Sequence, residues 1–311
     1  MILSVSRRTD IPAFYSDWFM KRLRAGFVYV RNPVNPRVVS RVLLSPENVD
    51  CIVFWTKDPR KLMPYLDEID GMGYRYYFHF TITGYVSDIE RNMPDKRLIT
   101  DSFTALSRRI GREKVILRYD PIFFTDRYSA AFHIKAFERL LLLLHAYTDK
   151  VIISFLDMYR RTVRNMSGIG LRSMTEADMR KLAAAFADIA GKYGLKLETC
   201  AESIDLSVYG IGHSRCIDGE LVERITGYGI RGKSGREAAR PFCGCMKSVD
   251  IGQYDTCAHG CVYCYANSKA GLALKNNSSH DSESPLLCGP FCENEVKRRI
   301  HGVDSIRESR I

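Results

Sequence analysis

Lys114-Val115-Ile116-Leu117-Arg118-Tyr119-Asp120-Pro121 is a short apolar run that breaks off into charge and then into proline. Lys114–Tyr119 is too short for an ordinary helix and too apolar for a loop, so it reads as a buried strand. After it, Phe132, Ala136, Phe137, Leu140, Leu143 and Leu144 recur on one face of a helix. Lys150–Phe155 then returns to short, β-branched apolar character. A parallel neighbour is reached only through a crossover connection, which an amphipathic helix supplies. Strand, helix and strand in this order therefore predict a parallel βαβ unit.

The same alternation extends outward in both directions. Ile2–Val5, Cys51–Trp55, Tyr74–Ile82 and Leu195–Thr199 bring the strand candidates to six. Met179, Leu182, Ala183, Phe186, Ile189 and Ala190 form another helical stripe behind Thr175-x-x-Asp178, which has the form of a capping box, and Gly194 closes it. Phe27–Arg31 and Val38–Leu44 flank Asn32-Pro33-Val34-Asn35-Pro36 as a hairpin elaboration. Six successive βα units predict an α/β fold, a TIM-barrel-like (β/α)6 partial barrel over residues 1–209. A Gly- and Arg-rich connector and a cysteine-rich segment follow over 210–267, then a polar extension over 268–311 that reads as surface.

The 311 residues are 46% hydrophobic and 11% aromatic, enough for a sizeable core. No apolar run approaches the eighteen or so residues of a membrane span, and Met1-Ile2-Leu3-Ser4-Val5 enters a strand pattern rather than a secretory leader. A cytoplasmic protein with no membrane partner is expected, and its ten cysteines are then reduced thiols and metal ligands. The net charge of +10 favours an anionic partner, either a small molecule, a nucleotide-like compound or nucleic acid.

In parallel α/β barrels the reacting groups gather at the C-terminal ends of the strands. Here those ends are polar throughout: Ser6-Arg7-Arg8-Thr9-Asp10, Thr56-Lys57-Asp58-Pro59, Thr81-Ile82-Thr83-Gly84-Tyr85, Arg118-Tyr119-Asp120-Pro121, Ser154-Phe155-Leu156-Asp157 and Glu198-Thr199-Cys200-Ala201-Glu202. Arg8, Asp10, Lys57, Arg118, Asp120, Asp157, Glu198 and Glu202 are the candidate catalytic residues. Arg8, Lys57 and Arg118 suit a carboxylate or phosphate. The plainer account of Asp10, Asp58, Asp120 and Asp157 is that they cap helices.

Cys257-Ala258-His259-Gly260-Cys261-Val262-Tyr263-Cys264 places three thiols in one tight loop. A cubane iron–sulfur cluster is usually held by four thiolates, so three leave one iron open. A zinc site completed by Cys243 and Cys245, or a disulfide, are the competing accounts. His259 reads either as a cluster-contacting or loop-orienting residue or as a solvent-facing or backbone-bonded one. Cys200, Cys216, Cys243 and Cys245 make a second set of four, suited to another iron–sulfur cluster or to zinc, unless Cys200 and Cys216 are inert core residues. Cys51 reads as core, and Cys288 and Cys292 as a weaker pair in the tail.

Over nearly its full length the chain resembles the prokaryotic family catalogued as domain of unknown function 1848. The resemblance rests on the opening Ser-Arg-Arg-Thr-Asp, Phe54-Trp55-Thr56-Lys57, Arg118-Tyr119-Asp120-Pro121, Glu198-Thr199-Cys200-Ala201-Glu202 and Cys257 to Asn267. That family's C-terminal cysteine cluster is similar to the N-terminal one of the radical S-adenosylmethionine (radical SAM) enzymes, which also carry an aromatic before the third cysteine. The resemblance implies a [4Fe–4S] cluster on Cys257, Cys261 and Cys264, with S-adenosylmethionine on the open iron and Tyr263 beside its adenine. It further implies an external electron donor and a 5′-deoxyadenosyl radical. In most of those enzymes the motif follows the first barrel strand, whereas here it follows all six candidates. Either the strand order is circularly permuted or the loop folds back over the barrel mouth. Cys261 to Ala266 is also similar to the cluster loop of spore photoproduct lyase, which repairs a thymine dimer in DNA. The competing functional class is a zinc- or cluster-stabilised nucleic-acid-binding protein without catalysis.

Overall fold

The computed structural model describes residues 1–230, 242–290 and, as backbone, 298–299. Its strands are β1 (Ile2–Val5), β2 (Phe27–Arg31), β3 (Val39–Leu43), β4 (Cys51–Thr56), β5 (Tyr76–Thr81), β6 (Val115–Ile122), β7 (Lys150–Phe155), β8 (Lys196–Thr199), β9 (Gly212–His213), β10 (Val249–Asp250) and β11 (Arg298–Arg299). The helices are α1 (Ile11–Phe14), α2 (Ser16–Ala25), α3 (Leu66–Gly71), α4 (Lys96–Ile110), α5 (Ala130–Leu144), α6 (Arg160–Asn165), α7 (Glu176–Lys192), α8 (Gly219–Thr226) and α9 (Ala270–Ser278).

The fold is α/β. One parallel sheet of eight strands runs in the order β10-β1-β4-β5-β6-β7-β8-β9. The hairpin expected at the first connection is the antiparallel pair β2 and β3, with β11 beside β3. The Thr175 capping box forms at the start of α7, and Gly194 takes the left-handed φ of 65° after it.

Alternate residues along each strand serve opposite faces. Leu3, Val5, Phe54, Phe78, Phe80, Leu117, Tyr119 and Ile153 pack with Phe19, Phe103, Phe137 and Phe186 of the helices. Ile2, Val53, Tyr77, Ile116 and Ile152 point the other way and are covered by Cys216, Ile217, Leu221 and Val222. Both faces are buried, which is why the strands read as nearly continuous apolar runs.

Two features depart from the sequence expectation. The stretches read as a connector and as a cysteine-rich segment supply β9 and β10, one at each edge of the sheet. The stretch after Ser268, read as surface, forms α9 and then docks. The Trp18 indole N–H donates to the Ser284 carbonyl at 2.9 Å, the Tyr29 N–H donates to Pro285, and Leu286, Leu287 and Cys288 are buried. The three apolar residues at the end of that polar run drive the docking.

Candidate functional site

β10 is two residues long and is fixed to β1 mainly by one carboxylate. Asp250 accepts from the Ser4 hydroxyl at 2.8 Å, the Ser6 hydroxyl at 2.6 Å, the Arg7 N–H at 2.8 Å and the Gly252 N–H at 3.0 Å. The chain leaves β10 toward the C-terminal ends of its neighbours and enters the cysteine loop. Elements after three strands, β1, β5 and β7, hold that loop by hydrogen bonds. The Tyr265 hydroxyl donates to the Arg7 carbonyl at 2.6 Å, and the Tyr15 hydroxyl to the Thr256 carbonyl at 2.7 Å. The Asn92 amide donates to the Ala258 carbonyl at 2.8 Å, and the Asn165 amide to the Cys264 and Asn267 carbonyls at 3.0 and 2.8 Å. Gly260 takes φ 67° where a Cβ would meet Asn92 at 3.0 Å, so this turn needs glycine.

Asp10 caps a helix, as the plainer account has it, and also reaches the cysteine loop. One oxygen caps α1 through the Ala13 N–H at 3.0 Å and accepts from the Thr56 hydroxyl at 2.8 Å. The other accepts from the Lys57 N–H at 2.7 Å and meets His259 Nε2 at 2.8 Å. With Nε2–H directed at Asp10, His259 Nδ1 is left buried without a hydrogen-bond partner.

Beside the loop stands a carboxylate that the sequence reading missed. Glu90 is fully buried and takes Lys57 Nζ at 2.7 Å, the Thr83 hydroxyl at 2.7 Å, the Tyr263 hydroxyl at 2.6 Å and Lys96 Nζ at 2.6 Å. Burial alone would raise its pKa, but the two ammonium groups outweigh that and hold it well below the usual carboxylate range. Its backbone also bridges to Cys261. Tyr263 therefore enters the site through its ring and hydroxyl, with Lys57 Nζ 5.7 Å from the ring centre.

The thiols of Cys257, Cys261 and Cys264 are half-buried in that setting. Burial pushes all three upward, Cys261 to about 12, while the charge of Lys57 opposes the shift at Cys261 and Cys264. Backbone N–H groups of His259 serve Cys257, and those of Ala266 and Asn267 serve Cys264.

Arg118 lies deeper, on the inner face of β6, the face of Ile116 that Cys216 covers. It forks onto Asp120 at 2.5 Å, donates Nη1 to Cys216 Sγ at 3.0 Å and stands 5.5 Å from the Trp55 ring centre. Asp120 in turn accepts from the Ser154 hydroxyl at 3.3 Å. Arg8 reaches the Gly252 carbonyl at 3.4 Å and lies 4.0 Å from Asp250.

The fold thus brings Asp10, Lys57 and Tyr263 around the cysteine loop, with Arg8 beside its stem. The other candidates are placed elsewhere. Glu202 accepts the Phe155 N–H at 2.9 Å, and Asp157 is exposed and bonded to Tyr159. Glu198 turns to Lys150 and Lys196, which open β7 and β8, at 3.2 and 2.5 Å. Asp58 pairs with Arg60 at 2.8 Å. Cys51 is core as expected, Cys288 is buried under α9, and Cys292 lies outside the described residues. Glu90 and Asp250 escaped the sequence reading because a single carboxylate in a loop or a two-residue strand carries no periodic or spacing signal. No helix among the described residues is long and apolar enough to cross a membrane.

Among solved structures the chain is similar to one described as "a putative alpha-L-fucosidase" from Bacteroides thetaiotaomicron VPI-5482. The identity is 12% and the TM-score 0.27, over 74% of this chain and 81% of that one, which carries no functional argument. No curated protein matches the chain at significance. Residues 2–266 match the family model described as Domain of unknown function (DUF1848), and the chain belongs to that family.

Proposed function

We propose that this protein is a radical S-adenosylmethionine-type iron–sulfur enzyme acting on a polar or anionic substrate, built on a circularly permuted partial barrel. One observation carries the proposal, the place of β10 in the sheet. In space β10 precedes β1, and β4 to β8 follow in order. A cysteine loop leaving the C-terminal end of β10 therefore leaves the spatially first strand, where radical S-adenosylmethionine enzymes carry theirs.

The residues fit the cofactor. Three thiols share one loop, backbone N–H groups are aimed at two of them, and the charge of Lys57 opposes the burial-driven rise at two. The buried and unpartnered His259 Nδ1 is an acceptor available to a polar group bound beside the loop. When bound, a [4Fe–4S] cluster and S-adenosylmethionine supply a 5′-deoxyadenosyl radical, given an electron from an external donor. This chain's own contribution is positioning. Asp10 fixes His259 and the loop entrance, Glu90 fixes Lys57 and Tyr263, and Arg8 at the loop stem offers a planar cation to a substrate carboxylate or phosphate.

The test is anaerobic reconstitution with iron and sulfide, then reduction in the presence of S-adenosylmethionine. The expected outcome is a brown protein that releases 5′-deoxyadenosine and methionine, with activity abolished by each of Cys257→Ala, Cys261→Ala and Cys264→Ala. Full cofactor cleavage by any one of the three variants would sink the proposal. So would a colourless zinc protein whose nucleic-acid binding falls steeply with salt, which is the behaviour of the non-catalytic alternative.

A further inference from the structure

Cys200 directly follows β8, Cys216 lies just beyond β9, and Cys243 and Cys245 lie in the stretch leading to β10. The fold gathers these four thiols on the inner face of the sheet, away from the Cys257 loop, and buries all of them. Cys200 Sγ stands 3.3 Å from Cys216 Sγ, Cys216 is hydrogen-bonded to Cys245, and Cys245 to Cys243. The neighbouring thiols and burial push Cys216 and Cys245 upward, but two donors are aimed at their sulfurs. The buried Arg118 guanidinium donates to Cys216 Sγ at 3.0 Å, and the Ile217 N–H donates to Cys245 Sγ at 3.4 Å. A neighbouring cation favours the thiolate, and outer hydrogen bonds orient metal-bound ligands.

We infer that Cys200, Cys216, Cys243 and Cys245 bind one zinc-type divalent ion in a tetrahedral thiolate sphere, a site independent of the one proposed at Cys257, Cys261 and Cys264. The sulfur spacing separates a single ion from a cluster. Zinc–sulfur bonds of about 2.3 Å at tetrahedral angles put ligand sulfurs roughly 3.8 Å apart. That is a few tenths of an ångström beyond the 3.3 Å contact between Cys200 and Cys216. A cubane cluster attaches each thiolate to a different iron and spreads the sulfurs farther. The four thiols run as a chain of contacts and not as a finished sphere, and no ready-made set of three or more ligands exists among the described residues. Binding therefore draws the ends of the chain inward. Four thiols lose four protons to solvent as they bind one divalent ion, which leaves a dianionic centre that Arg118 partly offsets. The ion would tie the end of β8 to the segment covering the inner face of the sheet.

The full-length Cys257/Cys261/Cys264→Ala variant, purified anaerobically without chelator, tests this by elemental analysis and by cobalt(II) titration after zinc removal. The expected result is about one zinc per chain without iron, and a cobalt spectrum characteristic of tetrahedral tetrathiolate ligation. Adding Cys243→Ser should weaken zinc by more than the roughly 10–100-fold that loss of an outer-shell partner costs. Three outcomes would overturn the inference: a folded, metal-free variant without the cobalt spectrum, about four irons per chain, or a Cys200–Cys216 disulfide found by alkylation and mass spectrometry. If the added serine variant does not fold, the cobalt titration of the triple-alanine protein decides alone.

Discussion

His259 Nε2 and Asp10 Oδ2 meet at 2.8 Å across 249 residues of chain. Through this contact the end of the first strand in the sequence and the cysteine loop near the other end of the chain share one buried carboxylate. Anything that disturbs Asp10 acts on both.

Asp10→Ala should therefore cost more than a helix cap. Losing the cap of α1 costs about 1 kcal/mol. The Lys57 N–H, the Thr56 hydroxyl and His259 lose an acceptor as well, at about 1–3 kcal/mol for a buried group left unsatisfied. We expect a total of about 4 kcal/mol or more by urea denaturation, together with reduced retention of the metal proposed for the cysteine loop. A loss confined to about 1 kcal/mol with full metal content would show that Asp10 is only a cap.

Glu90→Gln should be more severe than Tyr263→Phe. The first strips the counter-charge from Lys57 and Lys96, and breaking a buried ion pair typically costs about 3–5 kcal/mol. The second removes one hydrogen bond to a charged group, worth about 1.5–3 kcal/mol. Equal effects in parallel denaturation curves would contradict the central place given to Glu90.

The same carboxylate predicts a pH dependence. Its pKa in the folded protein lies below its unfolded value, near 4.3, so its contribution is complete above that pH and falls away as the pH drops toward the folded value. Wild-type stability should decline on acidification below about pH 4.5, and the Glu90→Gln variant should decline less over the same range. Parallel acid titrations of the two unfolding midpoints would show whether their difference narrows as expected.

Gly252→Ala tests the seam between β10 and β1. A Cβ at this position would stand 1.9 Å from the Ser6 hydroxyl oxygen and 2.6 Å from the Ser6 Cβ, so Ser6 or β10 must move. Overpacking of this kind costs about 1–3 kcal/mol. The Ser6 bond to Asp250 should break with it. A variant as stable as wild type would mean that the seam is loose.

The long elements were legible because each repeats a physical pattern several times. Lys150–Phe155 has the same limits in sequence and structure, and the Thr175 capping box forms as its spacing implies. β9 and β10 were not legible because two residues cannot display a period. Position in the sheet was hidden for a related reason. The neighbour of β10 is chosen by Ser4, Ser6 and Asp250, three polar residues 244 or more positions apart across each bond. At the site, residue type at a strand end identified Asp10 and Lys57, yet the same rule also selected Glu198, whose side chain two lysines turn aside. Strand-end position tells which loop a side chain starts from, and its charged neighbours decide where it ends.

The edge position of β10 has a consequence for synthesis. A ribosome adds about 5–20 residues per second and releases the chain from its N-terminus, so elements can fold in the order they emerge. Strands β1 and β4 to β8 are complete before the residues of β10 exist. The cysteine loop then arrives as the closing piece, docking on Arg7, Asp10, Asn92 and Asn165 that are already in position. Its thiols spend little time exposed on an unfolded chain, so loading of the metal proposed for them would be a late event on a nearly finished protein.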